Sequence, residues 1–350
     1  MEKALKEIDI DKKGSVTARL GISKSVPVSE ERFVPLSGDV VAVRALGEST
    51  SYGNLELTSG RLAKIKAGDI LLGAVGSRRA LKGFVGDVPG SIGPGDRLHL
   101  LNMGGVVGIC SGHHSSLTDA IELEVIGIVV GQDGRPVNIA DRALRIERAH
   151  SPAAPVILVA GSCMNSGKTV AATELIKQAA KSGMRVAGVK LSGIACLRDT
   201  LQMEDSGAFV TASFLDCGLP STVGRADLAE VASTLFHHVD EFGPDLIIAE
   251  LGDGIVGGYS VESILADRPV MSVIASVVFC ASDYVGVIGG AAVLREFGIS
   301  IDVVAGSVTD APMGERFIVE RLGLPAGNAR RDGAALFDLA FSNVAGSVKV

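Results

Sequence analysis

Residues 156–169 read Val-Ile-Leu-Val-Ala-Gly-Ser-Cys-Met-Asn-Ser-Gly-Lys-Thr, five apolar residues and then a polar, glycine-bounded loop. The apolar run predicts a strand. Thr169–Ser182, with Lys181 in its last turn and Gly183 just beyond, predicts a helix. A loop that joins strand to helix in this way aims successive backbone N–H groups and the positive end of the helix dipole at one point, where a phosphate can sit. The predicted cradle is Gly161, Ser162, Cys163, Met164, Asn165, Ser166, Gly167, Lys168 and Thr169. In it Lys168 reaches the β- and γ-phosphates of a nucleotide, and the Thr169 hydroxyl ligates magnesium. The spacing is a variant of G-x-x-x-x-G-K-[ST], because Ser162 occupies the first position and Gly161 lies one residue earlier.

Downstream, Arg185–Lys190, Leu246–Glu250, Val270–Cys280 and Ile301–Ala305 are apolar enough to be parallel strands covered on both faces, and Leu228, Val231, Leu235 and Val239 mark one face of a helix between them. Residues 151–350 therefore predict a mostly parallel α/β nucleotide-binding domain. Before it, short apolar runs alternate with Gly38-Asp39, Gly68-Asp69, Gly86-Asp87 and Gly95-Asp96. That punctuation predicts strands at Val40–Val43, Ile70–Val75, Arg97–Leu101 and Ile121–Val130, forming a smaller mainly-β barrel or sandwich over residues 1–150. Ser151–Pro155 is the predicted linker.

Composition narrows the classes. At 350 residues, with 47% hydrophobic and 21% charged residues and 44 glycines, the chain has enough apolar sequence for two cores. A net charge of -7 with no basic run argues against a nucleic-acid partner. Met1–Lys13 lacks the apolar core of a secretory signal, and the five scattered cysteines show no C-x-x-C pair, so a cytoplasmic protein with reduced thiols is expected. Pro269–Leu294 is the most apolar stretch, but Asp283 and Gly289-Gly290 interrupt it, which predicts a buried strand and helix and no membrane span.

Phosphoryl chemistry needs acidic and basic groups beside the cradle. Glu250 closes an apolar strand and is the first choice for contact with magnesium, with Asp253 in reserve; Lys190 closes another strand and faces the same crevice. Arg198-Asp199 and Glu204-Asp205 add polar groups, of which Asp205 is the preferred second acidic ligand. Elsewhere, Cys110–Ser116 gathers two histidines without a third ligand at metal-binding spacing, His237-His238 predicts a surface pair, and Arg78-Arg79 with Lys82 predicts a solvated turn or an anion patch.

Gly161–Thr169, Val170–Lys190, Leu191-Ser192-Gly193 and Glu250-Leu-Gly-Asp-Gly254 together resemble the dethiobiotin synthetase-like P-loop ATPases over some fifty residues of the second domain. The resemblance implies ATP and magnesium as cofactors, Lys168, Lys190 and Glu250 as catalytic groups, Thr169, Asp205 and Glu250 as magnesium ligands, and a homodimer. It implies a synthetase or ligase that activates a small carboxylate or amine by phosphoryl transfer. The first domain has no counterpart in that enzyme, so two other readings stay open: an acyltransferase using a coenzyme A-type donor, and a nucleotide-gated regulatory or assembly ATPase. The absence of Asn-Lys-x-Asp disfavours guanine, and Ser307–Asp310 is placed beside the base.

Overall fold

In the computed structural model, which describes residues 5–148 and 151–347, Val156–Gly161 is a fully buried strand, β1. The first four residues of Met1–Lys13 and the last two of the charged segment Arg135–His150 lie outside the described residues. Helix α1 (Lys168–Lys181) follows β1, then β2 (Val186–Lys190), α2 (Arg198–Asp205), β3 (Val210–Ser213), α3 (Leu228–Asp240) and β4 (Leu246–Glu250). The chain ends with β5 (Ile274–Cys280), α4 (Tyr284–Glu296), β6 (Val303–Ala305) and α5 (Gly333–Ser347). The six strands form one sheet in the order β3-β2-β4-β1-β5-β6, and every pairing is parallel.

Parallel neighbours need crossover helices, which cover both faces, so these strands must be apolar throughout. On α1 the residues Ala171, Ala172, Leu175, Ile176 and Ala179 recur at helical spacing, and all five are buried against Ile157, Val159, Leu246 and Ile248. Leu228, Val231, Leu235 and Val239 are likewise buried along α3. Register then decides where chemistry can occur. Glu250 stands opposite Val159 on one side and Lys190 on the other, and Gly161 stands opposite Cys280. The carboxyl ends of β1, β2, β4 and β5 therefore open on a single edge, the usual location of ligands in open α/β sheets.

Two expectations need correction. Val270–Cys280 is not one strand: Asp267 accepts a hydrogen bond from the Val270 amide at 2.9 Å, and with Pro269 in the first turn it starts a short helix, Arg268–Met271, before β5. Nor is α4 wholly buried, since Val285 and Ile288 are 78% and 52% exposed. Among the described residues no helix is long and apolar enough to cross a membrane.

The chain divides into two compact units. One holds Arg145–Gly193, Asp199–Phe214 and Gly224–Val350; the other holds Met1–Leu144 together with Ile194–Arg198 and Leu215–Val223. In the β unit, strands Glu122–Val129, Val40–Ala45, Ile70–Val75, Val106–His113 and Arg97–Leu100 pair in that order, and the last pairs back with the first, which closes a five-stranded barrel. Its interior is packed by Val41, Val43, Leu71, Leu98, Leu100 and Leu123. Closure leaves these five strands without free edges.

Candidate functional site

The loop after β1 turns because two residues adopt left-handed backbone, Asn165 (φ 60°) and Gly167 (φ 101°). At Gly161 a Cβ would stand 2.6 Å from Ser166 Oγ and 2.7 Å from the Cys280 carbonyl oxygen, so only glycine lets the loop fold back over the strand end. Lys168 opens α1, is 6% exposed, and donates from Nζ to the Cys163 carbonyl at 2.8 Å. The loop thus wraps around its own lysine.

Gly306, after β6, supports the loop from the side. Its φ is +88°, and a Cβ there would stand 2.2 Å from the Ser166 carbonyl oxygen, while the Ser307 amide donates to that same oxygen at 3.1 Å. Gly306→Ala is therefore expected to destabilise the protein by about 2–4 kcal/mol, because the left-handed backbone and the collision both oppose it. Gly298→Ala supplies the control: φ is +74° there, and nothing lies within 4 Å of the added carbon. Denaturant midpoints of the two variants separate the collision from the backbone cost.

Four charged or polar side chains meet at the ends of β1, β2 and β4. The Thr169 hydroxyl donates to Glu250 Oε1 at 2.8 Å, and Lys190 Nζ lies 2.7 Å from that same oxygen and 2.7 Å from Asp199 Oδ2. Glu250 is 1% exposed, and its other oxygen, Oε2, is buried with no hydrogen-bond partner. Ser166 Oγ in the loop is buried and unpartnered as well. Such atoms cost on the order of 1–3 kcal/mol each when left unsatisfied, which makes them conspicuous beside the loop after β1.

The lysines are tuned in opposite directions. Burial is the largest influence on Lys168 and lowers its pKa below 10.5; the charge of Lys190 lowers it further, against the attraction of Glu250. Burial also acts to lower Lys190, but Asp199 and Glu250 outweigh it and hold that ammonium above its ordinary value. Burial pushes the Cys280 thiol up to about 12, so it stays neutral beneath the loop.

Among the residues singled out from the sequence, Lys168, Thr169, Lys190 and Glu250 come together. Asp205 does not join them. It is exposed at the far end of α2, whereas Asp199, in the first turn of that helix, reaches Lys190. Asp253 sits in the loop after β4 with a left-handed backbone (φ 61°) and acts on Lys168 through charge. Ser307 and Asp310 line a cleft with Asn165, Gly167, Asn328 and Arg330; Asp310 accepts from Asn328 Nδ2 at 2.9 Å. Asn328 was invisible to motif reading because it lies in a loop with no apolar period around it.

In the β unit, the expected basic turn is absent as such. Arg78 is 3% exposed, donates to the Leu101 carbonyl and, at 2.8 Å, to the Tyr52 hydroxyl, and packs over the Tyr52 ring, while Arg79 is engaged by the Gly86 carbonyl and Asp87. His113 pairs with Asp119 at 3.1 Å. Among the described residues no group of three or more His, Cys, Asp or Glu is placed to hold a metal ion.

No known family matches the sequence, and no curated protein matches it. Solved structures resemble it distantly. A cell division protein FtsY from Thermotoga maritima is 19% identical over 58% of this chain and 74% of its own, with a TM-score of 0.38. A signal recognition particle 54 kDa protein from Aeropyrum pernix, solved in complex with GDP, is 18% identical over 59% and 52%, with a TM-score of 0.37. A duf1611 family protein from Anabaena variabilis is 12% identical over 59% and 64%, with a TM-score of 0.43. Likenesses this distant carry no inference about substrate or mechanism, and none of the three is a dethiobiotin synthetase.

Proposed function

We propose that the α/β unit binds ATP with magnesium and transfers the γ-phosphoryl group to a small carboxylate or amine. The observation that carries this reading is the hydrogen-bonded array Thr169–Glu250–Lys190–Asp199 beside a loop shaped for phosphate. Two ammonium groups and two carboxylates cancel, so a polyphosphate entering this site needs an added cation. The donors present fit magnesium, a hard ion that prefers one or two carboxylates plus phosphate oxygens: Thr169 Oγ1, Glu250 and Asp199 would hold it. Bound there, the ion supplies charge neutralisation for the phosphate oxygens.

The protein's own groups have separable roles. The loop amides and Lys168 hold the β- and γ-phosphates in place, and positioning of this kind accounts for most of the catalysis in phosphoryl transfer. Lys190, kept protonated by its two carboxylates, offers a fixed positive charge for the oxygens of the transferring group. In the proposed reaction the acceptor's oxygen or nitrogen attacks the γ-phosphorus, the bond from that phosphorus to the β–γ bridging oxygen breaks, and ADP leaves. ADP release that depends on an added carboxylate or amine tests this directly. Hydrolysis indifferent to every such acceptor would sink the transfer reading and leave only nucleotide binding.

The lowered pKa of Lys168 carries a prediction of its own. A bound phosphate needs the charged ammonium, so affinity for ATP should fall tenfold per pH unit once pH passes the lysine's value in the free protein, which lies below 10.5. Titrations from neutral pH up to the ordinary lysine range measure it. An affinity that stays flat until the ordinary lysine range would mean that burial does not tune this group.

A further inference from the structure

We propose that the β unit carries a binding site for a small oxyanion, a carboxylate or a phosphate group, built on Tyr52 and Arg78. Every residue of the site falls within Met1–Leu144, so it stands apart from the nucleotide reading. Three loops converge there, residues 49–53, 80–83 and 114–119. The Thr118 hydroxyl lies 2.9 Å from Ser49 Oγ, and the Thr118 amide donates to Ser51 Oγ at 3.0 Å, which joins the third loop to the first. The His114 amide donates to the Gly83 carbonyl at 3.0 Å and ties the third loop to the tip of the hairpin of residues 78–87. Rings continue the contact: Tyr52 and Phe84 are 5.1 Å apart, and Phe84 meets His113 edge-on at 6.0 Å.

At the centre of these loops is a buried cation without an anion. The Arg78 guanidinium donates to the Leu101 carbonyl and the Tyr52 hydroxyl, its carbon lies 4.7 Å from the Tyr52 ring centroid, and its Nε is buried with no partner. Among the described residues it forms no ion pair, because the carboxylates of the hairpin and the third loop, Asp87 and Asp119, pair with Arg79 and His113. A charge taken out of water is costly unless it is paired, and an apolar side chain of similar volume would fill the same space at less cost. The backbone makes room for this one: at Gly83 a Cβ would stand 2.8 Å from Arg78 Nη2. Tyr52 is also held against its preference, with φ 55° in a region that bulky side chains rarely adopt.

Tyr52 is where a ligand makes contact. The residue is half-buried, its oxygen accepts from Arg78 at 2.8 Å, and its own hydrogen meets no acceptor among the described residues. A hydroxyl polarised by a guanidinium is a strengthened donor, and an anion bound to it sits one hydrogen bond from the uncompensated charge. Exposed Lys82, beside Gly83, and the His114–Ser116 pair, with Nδ1 and Oγ 2.8 Å apart, supply a polar rim. One fixed positive charge with directional donors fits one compact oxyanion.

The test uses the full chain carrying Lys168→Ala, so that the loop after β1 does not contribute, and titrates it by calorimetry at constant ionic strength with inorganic phosphate and, separately, with acetate. Saturable binding with a dissociation constant of about 1 mM or tighter is expected for at least one of them. Tyr52→Phe, which removes a single oxygen, and Arg78→Met, which keeps the apolar stem, should each weaken that binding by roughly tenfold or more. Tyr52→Phe decides alone should Arg78→Met fail to fold. A response to phosphate alone assigns a phosphate-bearing ligand, a response to acetate alone assigns a carboxylate, and a response to both leaves the oxyanion itself as the recognised group. Absence of saturable binding by either anion, or binding that Tyr52→Phe leaves unchanged, overturns the proposal.

Discussion

Lys168→Ala is expected to lose ATP binding, with the dissociation constant rising by at least about thirtyfold. Lys168 is 6% exposed at the start of α1, and its ammonium is held inside the loop by the Cys163 carbonyl at 2.8 Å. A phosphate placed there meets a desolvated point charge. Removing one partner of such a buried pair costs about 2–5 kcal/mol, and each 1.4 kcal/mol is a factor of ten in affinity. The variant should nevertheless fold well. Its lysine pays a desolvation penalty and is repelled by Lys190, as its lowered pKa records, so alanine removes an unfavourable charge along with the ligand contact. Unchanged or raised thermal stability together with lost binding is the signature of a lysine kept for a ligand. A Lys168→Ala protein that binds ATP as the wild type does would assign the phosphates elsewhere.

Glu250→Gln has the opposite balance. Glu250 is 1% exposed and accepts from Thr169 and Lys190 through one oxygen. Without its charge, Lys168 and Lys190 face each other with Asp199, paired to Lys190, and Asp253, which acts on Lys168 through charge, to offset them. Breaking a buried pair costs about 3–5 kcal/mol; because Lys190 keeps Asp199, about 3 kcal/mol is expected, a drop of roughly 6–12 °C in melting temperature for a domain of this size. The pH dependence follows from the raised pKa of Lys190. A group whose folded pKa lies above its unfolded value stabilises the fold fully below the unfolded value, near 10.5, and that contribution disappears as pH rises through the folded value. In Glu250→Gln the elevation shrinks, so the alkaline loss of stability should be smaller than in wild type and should be complete at a lower pH. Equal melting temperatures for both proteins from neutral to alkaline pH would show that the Glu250–Lys190 contact carries no net stability.

What could be read from the sequence is local. β1, the loop and α1 are contiguous, and their periodicity, glycines and basic last turn are all visible within 27 residues, 156–182. Glu250 and Lys190 were legible because each ends an apolar run, and parallel strands bring their carboxyl ends to one edge. The separation of Asp205 from the other groups has a different origin. Counting from Lys190 cannot reveal that the chain detours through the β unit and re-enters at Asp199, and six residues along a helix are a displacement of about 9 Å. The edge strand Val210–Ser213 went unseen because four residues, two of them only half-buried, carry no readable period. Barrel closure was equally hidden, since Arg97–Leu100 pairs both with the next strand, Val106–His113, and with Glu122–Val129 beyond it, and only pairing can show the ring. Arg78 misled for a simpler reason: a cation in a Gly-rich hairpin reads as solvated, but its guanidinium is sheltered by Tyr52 and the Leu101 carbonyl.

Calorimetric titration of the wild-type protein with ATP, with and without magnesium and beside GTP, ADP and coenzyme A, tests the central claim most directly. The account predicts saturable ATP binding that is strengthened by magnesium and absent from Lys168→Ala. Binding of coenzyme A alone would replace phosphoryl transfer with acyl transfer, and no binding of any nucleotide would contradict the assignment of residues 161–169 as a phosphate cradle.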